Sequence, residues 1–160
     1  QALIDAARAE AETTHFESDA WTSDVALCLM LVALLERAAP RAAVEGAIKR
    51  LAQLPEASPL VADTLRAALG RRNDEGLATS GYVLHTLEGA VWLLVASPSL
   101  EAMLVRGVNL GGDADTLGAV AGALAGAHWG ASAIPPRWLG ALEGRSELVA
   151  LADQLYHQAQ

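Results

Sequence analysis

Cysteine is almost missing from this 160-residue chain; Cys28 stands alone. An internal disulfide is therefore excluded, and a reducing, cytoplasmic setting is expected. Cys28 sits in an apolar run, where inert packing is the expected role. Positive charge is also scarce. Lys and Arg number 11 against 19 Asp and Glu, a net charge of −8. This balance leaves no basic footprint for nucleic acid or an anionic membrane, although a nucleotide ligand needs only a local site. Aromatic residues make up 4% of the chain, while 52% is hydrophobic. Alanine, leucine and glycine dominate and β-branched residues are few, which favours helices over strands. No signal-peptide pattern is visible. There is no initiator methionine either. Gln1-Ala-Leu-Ile-Asp-Ala-Ala-Arg8 already reads as helix, so the chain is expected to begin inside a larger protein.

What is present reads as a series of helices, and the length is one domain's worth. The first covers residues 1–12, with Leu3, Ile4 and Ala7 on one face, and a loop through Thr14, His15 and Asp19 follows. Residues 20–39 form a helix apolar nearly all round, which marks it as a central core element ended by Pro40. Further helices are predicted over 41–53, 60–70, 79–96, 99–107, 114–129 and 145–157. Trp21, Trp92, Trp129 and Trp138 are the expected core anchors. Arg71-Arg72 can grip a phosphate, but a solvated charge cluster is the preferred reading. The run from Leu117 to Pro136 has the length of a membrane span. Its many Gly and Ala, His128 and the closing prolines argue against one.

The most informative stretch is Asn109-Leu-Gly-Gly-Asp-Ala-Asp-Thr116. Carboxylates at i and i+2 in a regular helix point about 200° apart. They converge only if the first lies outside the regular turns, which a Gly111-Gly112 pair permits. Asp113 is therefore placed at or before the helix N-cap, with Asp115 and Thr116 in the first turn. Three hard oxygen donors then suit Mg²⁺, Mn²⁺ or Ca²⁺. Asp and Thr are also ordinary residues for a helix start, so a plain cap explains the same letters. Gly118, Gly122, Gly126 and Gly130 recur every four residues. Each helical glycine costs about 1 kcal/mol relative to alanine, and such a stripe predicts close approach of another backbone.

The run Gly107-Val-Asn-Leu-Gly-Gly-Asp-Ala-Asp-Thr-Leu-Gly-Ala-Val-Ala-Gly-Ala-Leu-Ala-Gly-Ala-His-Trp-Gly-Ala131, closing in Ile134-Pro-Pro-Arg-Trp138, resembles the C-terminal signature of the ADP-ribosylglycohydrolase family. The resemblance is nearest to its dinitrogenase reductase-activating members. It implies an all-α fold, a compact orthogonal multi-helix bundle, of which residues 1–160 would be the C-terminal portion. It also implies two divalent cations, Mg²⁺ or Mn²⁺, and hydrolysis of the bond between ADP-ribose and a modified side chain. Asp113, Asp115 and Thr116 match the family's C-terminal metal ligands. Thr14-His15 resembles a Thr-His whose histidine lies near the bound ADP-ribose; a lone loop histidine otherwise reads as exposed. Within Thr79-Ser-Gly-Tyr-Val-Leu-His85, Tyr82 matches a ligand-contacting tyrosine and can stack on a base or ribose face, or else pack on a neighbouring helix. His85 is read as packing.

The family's acidic Thr-Asp-Asp-Thr-like motif, which completes its metal site, has no counterpart in these residues. Nor has the segment that carries its acid/base residue. The expected partners are an ADP-ribosylated protein or a small ADP-ribose conjugate, together with the missing N-terminal half. Taken alone, the chain is expected to be incomplete and inactive. The competing reading is a non-catalytic helical interaction or structural protein on the same scaffold.

Overall fold

Prolines and small polar residues set where the helices begin. In the computed structural model, which describes residues 1–158, α1 (Ala2–Ala11) leads through a short turn into α2 (Ser18–Leu35). Pro40 opens α3 (Pro40–Leu51) from its first turn, where a missing N–H costs nothing. Ser58 caps α4 (Pro59–Gly70) by accepting from the Leu60 amide, again with proline in the first turn. Then come α5 (Val83–Ala96) and α6 (Leu100–Asn109), the latter capped by Ser99 accepting from the Ala102 amide. After α7 (Ala114–Trp129) the chain makes one 3-10 turn (Ala131–Ala133), then α8 (Pro136–Ala141) and α9 (Arg145–Gln158). Among the described residues there is no strand, and the all-α expectation holds.

Three helices make the centre. α2 packs against α1, α3, α4, α5 and α7, while α7 also packs on α5 and α6. Val25, Ala26, Met30 and Leu34 of α2 are fully enclosed, as are Ala90, Val91 and Leu93 of α5 and Leu124 and Ala125 of α7. α2 has the length and apolarity of a membrane span, yet these contacts make it the core helix of a helical fold. It is not buried all round: Val32 and Leu35 are exposed.

Several expectations need correcting. α2 stops at Leu35, because Arg37 turns left-handed at φ 71° well before Pro40, and Pro40 starts a helix rather than ending one. The face of α1 is Ile4, Ala7 and Ala11; Leu3 points outward. Trp21 and Trp92 are core anchors, but Trp129 and Trp138 are only half-buried at its edge. The glycine stripe of α7 does not meet a backbone. A Cβ at Gly118 or Gly122 would lie 4.0 Å from the Val108 or Leu104 side chain of α6, which is ordinary contact, and one at Gly126 would meet nothing. Arg71 is neither a solvated charge nor open to a phosphate. Its guanidinium pairs with Glu88 of α5 at 2.6 Å and donates to the Glu75 carbonyl, pinning the 71–76 loop. Cys28 is partly buried, and burial pushes its thiol up, consistent with inert packing.

Candidate functional site

The start of α7 is built by two backbone conditions. Gly111 and Gly112 take φ of 75° and 67°, the left-handed region that glycine alone enters freely. They turn the chain so that the Asp113 amide donates to the Thr79 carbonyl at 2.7 Å. Gly112 also presses on that residue: a Cβ there would sit 2.2 Å from the Thr79 carbonyl oxygen. The 79–82 segment that enters α5 is thus seated on the Gly-Gly turn. Asp113 is the N-cap of α7, as its glycines imply. Its side chain makes no capping hydrogen bond. Instead its Oδ2 lies so near Gly81 that a Cβ on that residue would come within 2.7 Å. Asp115 follows in the first turn, exposed, with its carboxyl held below the ordinary 3.8. The neighbouring Asp113 carboxyl is the first cause; the amides of Asp115 and Thr116 follow.

A cleft of about 390 Å³ opens beside this helix start, between the end of α1, α2, the start of α5 and α7. Its polar wall includes Glu10, Thr14, His15, Asp24 and Thr116, and its apolar wall includes Leu87. The size is that of an ordinary small-ligand pocket. His15 is exposed at the cleft, with Thr14 Oγ1 2.9 Å from its Nδ1. Asp24 is half-buried, and its carboxyl is pushed up, first by desolvation and then by the Glu10 charge, with His15 opposing. Asp115 faces a second cleft, between α6 and α7, lined by Val105, Val108, Asn109 and Trp138. The structure brings Asp113 and Asp115 side by side, but Asp115 and Thr116 line different clefts, so the three donors expected to face one spot do not share one cleft here.

Tyr82 is not where a first-turn residue would be. It is the N-cap of α5, and it does not line the cleft; its neighbours Gly81 and Val83 do. The ring stands at the rim, 46% exposed, with its hydroxyl donating to Asp19 Oδ2 at 2.9 Å. His85 packs edge-on against it at 5.2 Å between ring centres, as a packing role requires. Sequence reasoning missed Asp19, Asp24, Glu10 and Gly81. Only Asp24 left a signal, a charge inside the apolar run of α2.

The whole chain, residues 1–160, matches the model of the ADP-ribosylglycohydrolase family. The chain belongs to that family. Among curated relatives, the ADP-ribosylarginine hydrolase Tri1 of Serratia proteamaculans is 34% identical over 120 residues, covering 72% of this chain and 32% of its own. The ADP-ribosyl-[dinitrogen reductase] glycohydrolase of Rhodospirillum rubrum is 39% identical over 69 residues, 43% of this chain and 24% of that protein. Human ADP-ribosylhydrolase ARH3 is 30% identical over 112 residues, 68% of this chain and 31% of its own. A solved structure, an ADP-ribosylglycohydrolase-related protein complex, superposes with a TM-score of 0.84 at 36% identity, over 98% of this chain and 53% of that one. The chain thus spans about half the length of that structure, and the matches cover about a third or less of these curated relatives. The family's members are hydrolases of ADP-ribosyl bonds. In this ADP-ribosylglycohydrolase chain, the Gly-Gly-Asp-Ala-Asp-Thr turn, His15 and the start of α5 all gather at one end of the α2–α5–α7 core.

Proposed function

We propose that this chain forms the ligand-facing part of an enzyme that hydrolyses the glycosidic bond between ADP-ribose and a modified side chain. The observation that carries the reading is the Asp113 carboxylate, which makes no bond to the amides of the helix it starts. It occupies the cap position without capping, beside Asp115 and against Gly81, a residue that lines a cleft of ligand size. A carboxylate that served the helix would bond its first-turn amides.

Asp113, Asp115 and Thr116 fit a divalent metal by chemistry, since two carboxylates and a hydroxyl are hard oxygen donors suited to Mg²⁺ or Mn²⁺. They do not complete a site. Among the described residues no group of three or more His, Cys, Asp and Glu side chains could hold a metal. The remaining ligands and the general acid would come from the part of the domain that the relatives carry outside the matched stretch. Bound there, divalent cations would orient ribose hydroxyls and acidify a water. His15, held by Thr14, would contact the nucleotide inside the cleft. Tyr82 would present its ring at the rim. Water would add at the anomeric carbon as the bond to the acceptor breaks; the acceptor would leave with a proton from a carboxylic acid, and the proton lost by the water would restore that acid.

The incomplete donor set favours a second reading for the chain alone, a non-catalytic helical protein on the same scaffold. One experiment separates the two. The full gene product and, in parallel, the 160-residue chain are incubated with an arginine-linked ADP-ribosyl peptide and Mg²⁺ or Mn²⁺, with and without chelator. Released ADP-ribose that chelator abolishes, and that Asp113→Asn lowers by orders of magnitude, supports hydrolysis. Metal binding or activity indifferent to Asp113→Asn refutes the metal assignment.

A further inference from the structure

Tyr82 has a tie that an exposed tyrosine does not need. Its hydroxyl donates to Asp19 Oδ2 at 2.9 Å, across 63 residues of sequence. The other oxygen of the same carboxylate, Oδ1, accepts from Ser58 Oγ. Ser58 is 6% exposed and is itself fixed: its amide donates to the fully buried Thr22 Oγ1 at 3.0 Å. Ser58 Oγ also accepts from the Leu60 amide as the cap of α4. The carboxylate is thus anchored in the core on one side and holds an exposed ring on the other. The ring is braced a second time. His85 meets it edge-on, and Ser80 Oγ lies 2.7 Å from His85 Nδ1 while accepting from the Tyr82 amide at 3.3 Å.

The position of this tie gives it a function. Ala20, next to Asp19, lines the cleft, and so do Gly81 and Val83 on either side of Tyr82. The Asp19–Tyr82 bond therefore runs along one rim of the cleft and joins the start of α2 to the start of α5. Free, a half-exposed tyrosine samples several rotamers. Fixed, its ring needs no ordering when a flat ligand group arrives, and lower ordering cost appears as affinity.

We propose that Asp19, anchored by Ser58, is a positioning residue that holds the Tyr82 ring at the rim of the cleft for ligand binding. This rests on the ADP-ribose reading of the same site. The bond to a carboxylate also raises the Tyr82 phenol above its ordinary 10, which supplies a readout independent of ligand.

The test uses the full gene product with free ADP-ribose as probe. Tyr82 ionisation is followed by ultraviolet difference titration, assigned with Tyr82→Phe. Calorimetry gives the dissociation constants. Asp19→Ala is expected to return the Tyr82 phenol toward its ordinary value. Asp19→Ala and Tyr82→Phe are each expected to weaken ADP-ribose binding about fivefold to tenfold, one hydrogen bond's worth of ordering. The double variant should be no weaker than either single variant, because both remove one interaction. KM should rise more than kcat falls. Tyr82→Phe keeps the Asp19–Ser58 anchor, so it tests the tie even where Asp19→Ala unfolds. Unchanged affinity in Tyr82→Phe, multiplying effects in the double variant, or a Tyr82 phenol indifferent to Asp19 overturns the proposal. If the unaltered protein fails to bind ADP-ribose, the functional reading falls and the ligand role of Asp19 with it. Tight binding by the unaltered protein and by Asp19→Ala alike refutes the positioning role alone.

Discussion

Substituting the two glycines before α7 by alanine, one at a time, separates backbone strain from steric pressure on the site. Both have positive φ, 75° at Gly111 and 67° at Gly112. An L-residue held there costs about 1–2 kcal/mol. At Gly111 nothing else opposes a methyl group, since no atom lies within 4 Å of the position of its Cβ. At Gly112 the methyl would lie 2.2 Å from the Thr79 carbonyl oxygen and 2.3 Å from its hydroxyl. A carbonyl oxygen is backbone and cannot rotate away. The 79–82 segment must lift, and lifting it breaks the bond from the Asp113 amide to Thr79. That loss adds about 1–3 kcal/mol where it leaves a half-buried donor unmet. Gly112→Ala is thus expected to cost about 2–5 kcal/mol and Gly111→Ala about 1–2 kcal/mol. Urea unfolding at unchanged m measures both. Gly112→Ala should also weaken metal affinity, because the displaced segment carries Gly81 against Asp113. Equal cost at the two positions would refute the seating of the 79–82 segment on the Gly-Gly turn.

Gly81→Ala places a methyl 2.7 Å from Asp113 Oδ2 with no strained φ, so stability should change by less than about 1 kcal/mol while metal affinity falls, read by unfolding and metal titration on the same variant. Asp115→Asn should flatten the acid limb of the stability curve. The folded carboxyl lies below its ordinary 3.8, so the stability it supplies is present above that value and is lost as pH falls through the folded pKa; unfolding followed between pH 5 and 2 checks this. In the full gene product the same variant should lose hydrolysis by orders of magnitude, by initial rates across Mg²⁺ and Mn²⁺ concentrations. Arg71→Ala should cost about 1–3 kcal/mol in urea unfolding, between the values for exposed and buried pairs, because both partners keep only 18% of their side-chain exposure.

Most helix starts were legible to within two residues, but α5 begins at Val83 rather than 79, with no side-chain cap to announce it. Ser58 and Ser99 cap α4 and α6 by side-chain bonds to amides two and three residues on, and both starts were placed to within one residue, although neither cap was assigned from sequence. Helix ends and close contacts were less so. Arg37 turns left-handed with no glycine to announce it, so α2 reads too long. The α7 glycines recur on one face, and periodicity reports that face correctly, since Gly118 and Gly122 do meet α6. It does not report distance. The large Leu104 and Val108 side chains fill the space that small residues opposite would have left to backbone. The short turns after Trp129 went unread because a three-residue and a six-residue helix carry no period.

The site divides along the same line. Gly111-Gly112 permitted an irregular turn, so Asp113 at or before the cap was legible, and the structure puts it at the cap. Thr79, Asp19 and Asp24 did not follow, because each acquires its part from a residue far along the chain: Gly112 and Asp113, Tyr82, and Glu10 with His15. Such pairings belong to the tertiary structure and leave no local spacing to read. The ambiguity of Asp113 itself shows why. An aspartate that caps a helix and one that waits for a cation have the same neighbours in sequence, since both want the positive end of a helix and a flexible residue before it. The two differ only in where the carboxylate points. Here it makes no bond to the first-turn amides, of which those of Asp115 and Thr116 go to the Asp115 carboxyl, and it leans toward Gly81, a residue whose missing side chain leaves room for that oxygen. A cap would need no glycine across from it. The pairing of Asp113 with Gly81, across 32 positions of sequence, therefore supports the proposal of a ligand-holding carboxylate over that of a plain helix cap.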